Sequence, residues 1–171
     1  MSDLGLRLAP YGELREGAGV SRVVGYAPGA YDLFHVGHLN ILRHAKEHCD
    51  YLIAGVVSDE MCLLTKGKAP VIPLVERMEI VSHISLVDEV FAEVVPDKVE
   101  TWRSVQFDIL FKGDDWRGTA KGDKLERDFA DLGVKIIYFP YTRHTSSTAL
   151  RRALAVINGE LADPEPARVR R

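Results

Sequence analysis

Cysteine is all but missing from this chain of 171 residues, where Cys49 and Cys62 stand alone. Both lie beside apolar segments and neither has a metal-ligand spacing, so a disulfide framework is excluded and two reduced, packed thiols are expected. Positive charge is not in excess either. Lys and Arg number 22 against 25 Asp and Glu, a net charge of -3. No global field therefore draws in nucleic acid, and any anionic partner must be caught by a local cluster of basic groups. No apolar run approaches the ~20 residues that cross a bilayer, so membrane insertion is not expected. The first sixteen residues mix Asp, Arg, Pro and Glu without a signal-peptide pattern, and a cytoplasmic location is the expectation.

What the chain does contain is alternation of two periods. Val23-Val24-Gly25-Tyr26-Ala27 has strand character, breaking at Pro28-Gly29. The nearly continuous apolar run Tyr51-Leu52-Ile53-Ala54-Gly55-Val56-Val57 suits a parallel strand buried on both faces. Residues 89–95, 107–112 and 134–139 supply three more strands. Helical spacing starts at His38 and recurs after Pro73, where Leu74, Met78 and Val81 share one face and leave Arg77 on the other. It returns at 96–106, at 125–132, and from Ser147 through Ala149, Leu150, Ala153 and Leu154. Strands alternating with helices predict an α/β fold: a single Rossmann-like domain whose five-stranded parallel sheet carries helices on both faces. The domain is expected at 22–157, after an N-terminal arm or tail at 1–21 and before a disordered tail at 158–171.

In such a sheet ligands bind at the carboxyl ends of the strands. The polar clusters all fall there: Gly29, Ala30, Tyr31 and Asp32 after the first strand, Ser58-Asp59 after the second, Gly113-Asp114-Asp115-Trp116 after the fourth, and residues 141–148 after the fifth. His35 and His38, three residues apart at a helix start, can face the same anion, aided by the N–H groups of the helix N-terminus and a glycine, Gly37, between them. Read from residue types alone, the pair could also be structural or half of a zinc site, although neither cysteine is spaced to complete one. Thr65-Lys66-Gly67-Lys68-Ala69-Pro70 has the composition of a mobile flap, with a solvated charge pair as the plainer reading of its lysines. Asp32 either caps its turn or holds an acceptor or a magnesium ion. Adjacent Asp114 and Asp115 in one turn are poorly placed to chelate a metal together. Thr145, Ser146, Ser147 and Thr148 open the last helix as caps, and the same N-terminus could hold phosphates.

His35-Val36-Gly37-His38, embedded in strand, turn and helix, resembles the HxGH signature of the nucleotidyltransferase superfamily, and Gly29-Ala30-Tyr31-Asp32-Leu33-Phe34 resembles its cytidylyltransferase branch. Gly113-Asp114-Asp115-Trp116 is similar to the stretch found in glycerol-3-phosphate cytidylyltransferases, and Lys66-Gly67-Lys68 with residues 70–74 resembles the ethanolamine-phosphate enzymes. The resemblance, over about 23–154, implies transfer of CMP from CTP, with Mg²⁺, to a small phosphorylated alcohol, and a homodimer. It implies catalytic roles for His35, His38, Lys66 and Lys68. Nucleotide contacts are implied for Gly29, Ala30, Tyr31, Gly37, Arg77, Gly113, Asp114, Arg143, Thr145, Ser146, Ser147 and Thr148, and acceptor contacts for Asp32, Asp115 and Trp116. Asp114 and Trp116 are expected to line the site more surely than Asp115. One departure stands out. Where the branch carries RTEGIS, this chain has Tyr141-Thr142-Arg143-His144-Thr145-Ser146, so Arg143 is expected to do the missing arginine's work. That change keeps two alternatives open, an adenylyltransferase of the heptose-phosphate type and a nucleotide-binding module without turnover.

Overall fold

The apolar runs become five strands in the computed structural model, which describes residues 22–140 and 145–159. They are β1 (Val24–Gly29), β2 (Tyr51–Val57), β3 (Glu89–Glu93), β4 (Ile109–Gly113) and β5 (Lys135–Phe139). All pair in parallel, in the order β3-β2-β1-β4-β5. Six helices alternate with them: α1 (Val36–Lys46), α2 (Asp59–Lys66), α3 (Leu74–Ser82), α4 (Lys98–Val105), α5 (Ala120–Ala130) and α6 (Ser147–Ile157). A 3-10 turn, Asp114–Trp116, follows β4.

Side-chain alternation along the strands makes two cores, one on each face of the sheet. On one, Ala27, Ala54, Val56 and Phe111 meet Leu42 and Ala45 of α1 and Val81 of α3. On the other, Val24, Tyr26, Ile53 and Leu110 meet Val105 of α4 and Leu125 and Phe129 of α5. The expected Rossmann-like sheet with helices on both faces is what forms. Chain order reverses between β1 and β4, so the switch-point crevice lies between their carboxyl ends.

Three local readings need correction. β1 does not break at Pro28 but runs through Gly29, paired with Gly55 and Val56 of β2. Its ladder with β4 is confined to Gly25–Ile109 and Tyr26–Leu110, so the N–H that Pro28 lacks costs no β4 bond. Helix α1 starts at Val36 rather than His38, because His35 is its N-cap. Helix α5 starts at Ala120 rather than Leu125, capped by the Thr119 hydroxyl, which accepts from Gly122 N–H at 3.1 Å.

Candidate active site

The two histidines are held by each other's backbone. His35 Nδ1 accepts from Gly37 N–H at 3.0 Å, and His38 Nδ1 faces His35 N–H at 3.4 Å, a capping box built from imidazoles. With both Nδ1 atoms accepting, the proton of each neutral ring sits on Nε2, on the ring's outer edge. The rings stack with centroids 4.0 Å apart. Burial pushes the His38 pKa down to about 3, and the neighbouring His35 adds to this; burial also lowers His35. Both rings are therefore neutral donors near pH 7. The preceding turn is bent hard: Tyr31 and Leu33 have φ of 53° and 47°, the left-handed region that side chains other than glycine rarely occupy. Tyr31 is held there by its hydroxyl, which donates to Ala27 O at 2.8 Å.

A cleft of about 790 Å³ opens above the β1 and β4 ends. It is lined by Gly29, Ala30, Asp32, His35, Gly37 and His38 from the β1–α1 segment, by Lys66 at the end of α2 and by Lys68 in the loop that follows it. Gly113 and Asp115 come from β4 and its turn, and Thr145, Ser147 and Thr148 from the start of α6. Ser146 caps α6, accepting from Ala149 N–H at 3.1 Å. Ser147 Oγ donates to Asp32 O at 2.7 Å and lies 3.4 Å from His35 Nε2, which joins the α6 N-terminus to the histidine pair. Thus the structure gathers most of the expected site residues on one edge.

Several are placed differently from expectation. Arg77 is not on an open helix face. It is fully buried, donating through Nε to Ile72 O (2.8 Å), through Nη1 to Val57 O (2.9 Å) and Ala30 O, and through Nη2 to Asp59 at 2.5 Å. All three nitrogens are engaged inside the wall, and none is left for a nucleotide. Tyr31 is likewise wall, 3% exposed. Asp32 has no open edge for an acceptor or a metal: Oδ1 accepts from Val71 N–H (2.9 Å) and Ile72 N–H (3.0 Å), and Oδ2 pairs with Arg151. Burial alone would raise its pKa, but the Ile72 and Val71 bonds and the Arg151 pair outweigh this and lower it. Of the 3-10 turn, Asp115 lines the cleft while Asp114 and Trp116 do not, because successive side chains in such a turn point about 120° apart. The Trp116 ring instead receives the Lys112 ammonium, 4.1 Å from its centroid. Arg143 lies outside the described residues.

Arg151 and Arg152 also line the cleft, and the sequence reading missed them. The signal was present: four residues after Ser147 and Thr148 on a helix, they share the face that opens the anion site. Among the described residues no group of three or more His, Cys, Asp or Glu is arranged to hold a metal ion. The donors gathered here suit a polyanion.

Residues 26–153 match the cytidylyltransferase-like family. The chain belongs to that family. It is a nucleotidyltransferase. A glycerol-3-phosphate cytidylyltransferase of Bacillus spizizenii is 34% identical over 137 residues, which span 80% of this chain and 98% of that one. An ethanolamine-phosphate cytidylyltransferase of Arabidopsis thaliana is 41% identical over 95 residues, 53% of this chain and 22% of that much longer one. An FAD synthase of Pyrococcus abyssi is 32% identical over 125 residues, 72% of this chain and 84% of its own length. Among solved structures, a lipopolysaccharide core biosynthesis protein of Thermoplasma volcanium superposes with a TM-score of 0.61 at 22% identity, over 73% of this chain and all of that one; it bears on the fold alone. No helix among the described residues is long and apolar enough to cross a membrane.

Proposed function

We propose that this enzyme transfers CMP from CTP, entering with Mg²⁺, to a small phosphorylated alcohol, with glycerol phosphate the first candidate and phosphoethanolamine the second. The observation that carries the reading is convergence. Two neutral imidazole Nε2–H edges, Lys66, Lys68, Arg152 and the α6 N-terminus meet in one cleft at the switch point. An oxygen of the acceptor phosphate attacks the α-phosphorus. The bond from that phosphorus to its bridging oxygen breaks, and pyrophosphate leaves with the electron pair. No protein nucleophile is needed. What the protein supplies is alignment of two polyanions and donors for the charge that grows on the α-phosphate and leaving group. His35 and His38 donate to the α- and β-phosphates, the lysines neutralise the leaving group, and Ser147 and Thr148 at the helix start hold the β- and γ-phosphates.

The relative named as a glycerol-3-phosphate enzyme aligns over nearly its whole length, which favours that acceptor. The FAD synthase relative and the altered 141–146 segment favour a second reading, adenylyl transfer from ATP. Pyrophosphate release decides between them, with CTP, ATP, GTP and UTP crossed against glycerol phosphate, phosphoethanolamine, phosphocholine and a sugar phosphate. Turnover with CTP alone is expected. Turnover with ATP alone would replace this reading by the second. CTP binding without turnover on any acceptor would make the protein a binding module. The reading also includes a homodimer, tested by sedimentation equilibrium, and a reducing, cytoplasmic setting consistent with free Cys49 and Cys62.

A further inference from the structure

We infer that Asp32 and Arg151 form a clasp that positions the lysine-bearing loop over the cleft from the nucleotide-binding end of α6. The inference rests on the proposed reading of the α6 N-terminus as a triphosphate site. Arg151 reaches across from α6, donating through Nε to Asp32 Oδ2 at 3.1 Å, through Nη2 to the same oxygen, and through Nη2 to Ala69 O at 2.9 Å. Asp32 Oδ1 takes the Val71 and Ile72 N–H groups on the same loop. From beneath, Arg77 holds Ile72 O. The far end of the loop is thereby tied at Ala69, Val71 and Ile72, while its near end is fixed by Gly67, which closes α2 in the left-handed conformation at φ 68°. Lys68 sits between these anchors and Lys66 ends α2 just before them; both are exposed and both line the cleft.

Two features argue for positioning rather than for a packing role alone. The loop's own side chains are mostly exposed from Lys66 to Ala69, so no apolar packing holds the lysines in place. The Asp32–Arg151 pair is also continuous with the histidines, because Ser147 Oγ bonds to Asp32 O beside His35 Nε2. A triphosphate that settles on α6 therefore sets the loop through Arg151, and the loop delivers the lysines to the leaving group.

The test uses the full chain and two readouts. Arg151→Gln is expected to lower kcat about tenfold or more with a smaller change in the KM for CTP, because lysine placement matters most in the transition state. Arg151→Lys, which keeps one charged donor, should recover part of the loss. Asp32→Asn should be non-additive with Arg151→Gln. The second readout is trypsin cleavage after Lys66 and Lys68: CTP is expected to protect both bonds in the wild type and to protect them several-fold less in Arg151→Gln. Wild-type kcat together with wild-type protection in Arg151→Gln overturns the clasp. Equal losses in kcat and in melting temperature, with no rescue by Arg151→Lys and unchanged protection, would also overturn it and leave a structural pair. If the wild type releases no pyrophosphate with any nucleotide, the proposed function fails by itself, and cleavage after Lys68 without nucleotide, expected to be several-fold faster in Arg151→Gln and overturning the clasp if unchanged, still decides the clasp.

Discussion

A histidine held neutral by burial is a donor that water cannot easily switch off. Burial, chiefly, takes the His38 pKa to about 3, against 6.5 for a free side chain. Between those values the unfolded chain takes up a proton that the folded one refuses. Stability must then rise with pH from about 3 to about 6.5 and level off above. His38→Gln, which keeps an amide donor, should flatten that part of the curve measured by urea unfolding at a series of pH values; an unchanged slope would mean that His38 titrates normally. Arg77 carries a different expectation. Its guanidinium satisfies three carbonyl oxygens and Asp59 in a fully buried place. Arg77→Met should cost several kcal/mol, because three carbonyl oxygens lose their donor inside the wall at roughly 1–3 kcal/mol each, while Asp59 is partly exposed and can be rehydrated. A residue that only touched nucleotide would leave the melting temperature of the free enzyme unmoved.

Helix α5 shows why some elements were hidden in the sequence. Helical spacing is expected only from Leu125, yet Lys121-Gly122-Asp123 already belongs to the first turn of the helix. Gly122 is there for space: a Cβ would lie 2.0 Å from the Trp116 carbonyl oxygen. Glycine lets α5 close against the 3-10 turn that brings Asp115 to the cleft. Gly122→Ala should push that turn away, lowering both the melting temperature and acceptor affinity; acceptor KM unchanged in a folded variant would detach the helix from the site. Strand β2 was legible because both faces are buried and its apolar run is nearly continuous, and β4 because Ile109, Leu110 and Phe111 run together before Lys112. The start of α1 was not, since an imidazole is an uncommon cap and the helical period shows only after it.

The whole molecule is acidic while the cleft is basic, with Lys66, Lys68, Arg151 and Arg152 around two imidazoles. The attraction such a cleft offers an anion is local and partly solvent-exposed. Raising ionic strength from about 0.1 to about 1 M, where the screening length falls from roughly 10 to roughly 3 Å, should raise the KM for nucleotide several-fold and change kcat less. A salt-independent KM would argue that Lys66, Lys68 and Arg152 are not the phosphate contacts. The site's location was readable from strand ends, and its inner wiring was not. Which carboxylate is engaged, and which arginine is sealed in, depends on contacts between segments far apart in the chain. Asp32 meets Val71, Ile72 and Arg151, and Arg77 meets Ala30 and Val57.

With the best nucleotide and acceptor in hand, pyrophosphate release by the wild type and by His38→Ala should be compared under saturating substrates. The cleft geometry predicts that His38→Ala loses on the order of 10²-fold or more in kcat while nucleotide binding changes little, as removal of a transition-state donor does. Near-full turnover in His38→Ala would contradict the assignment of the stacked imidazoles to the phosphates, and with it the reading of this cleft as the place where the phosphoryl bond is made.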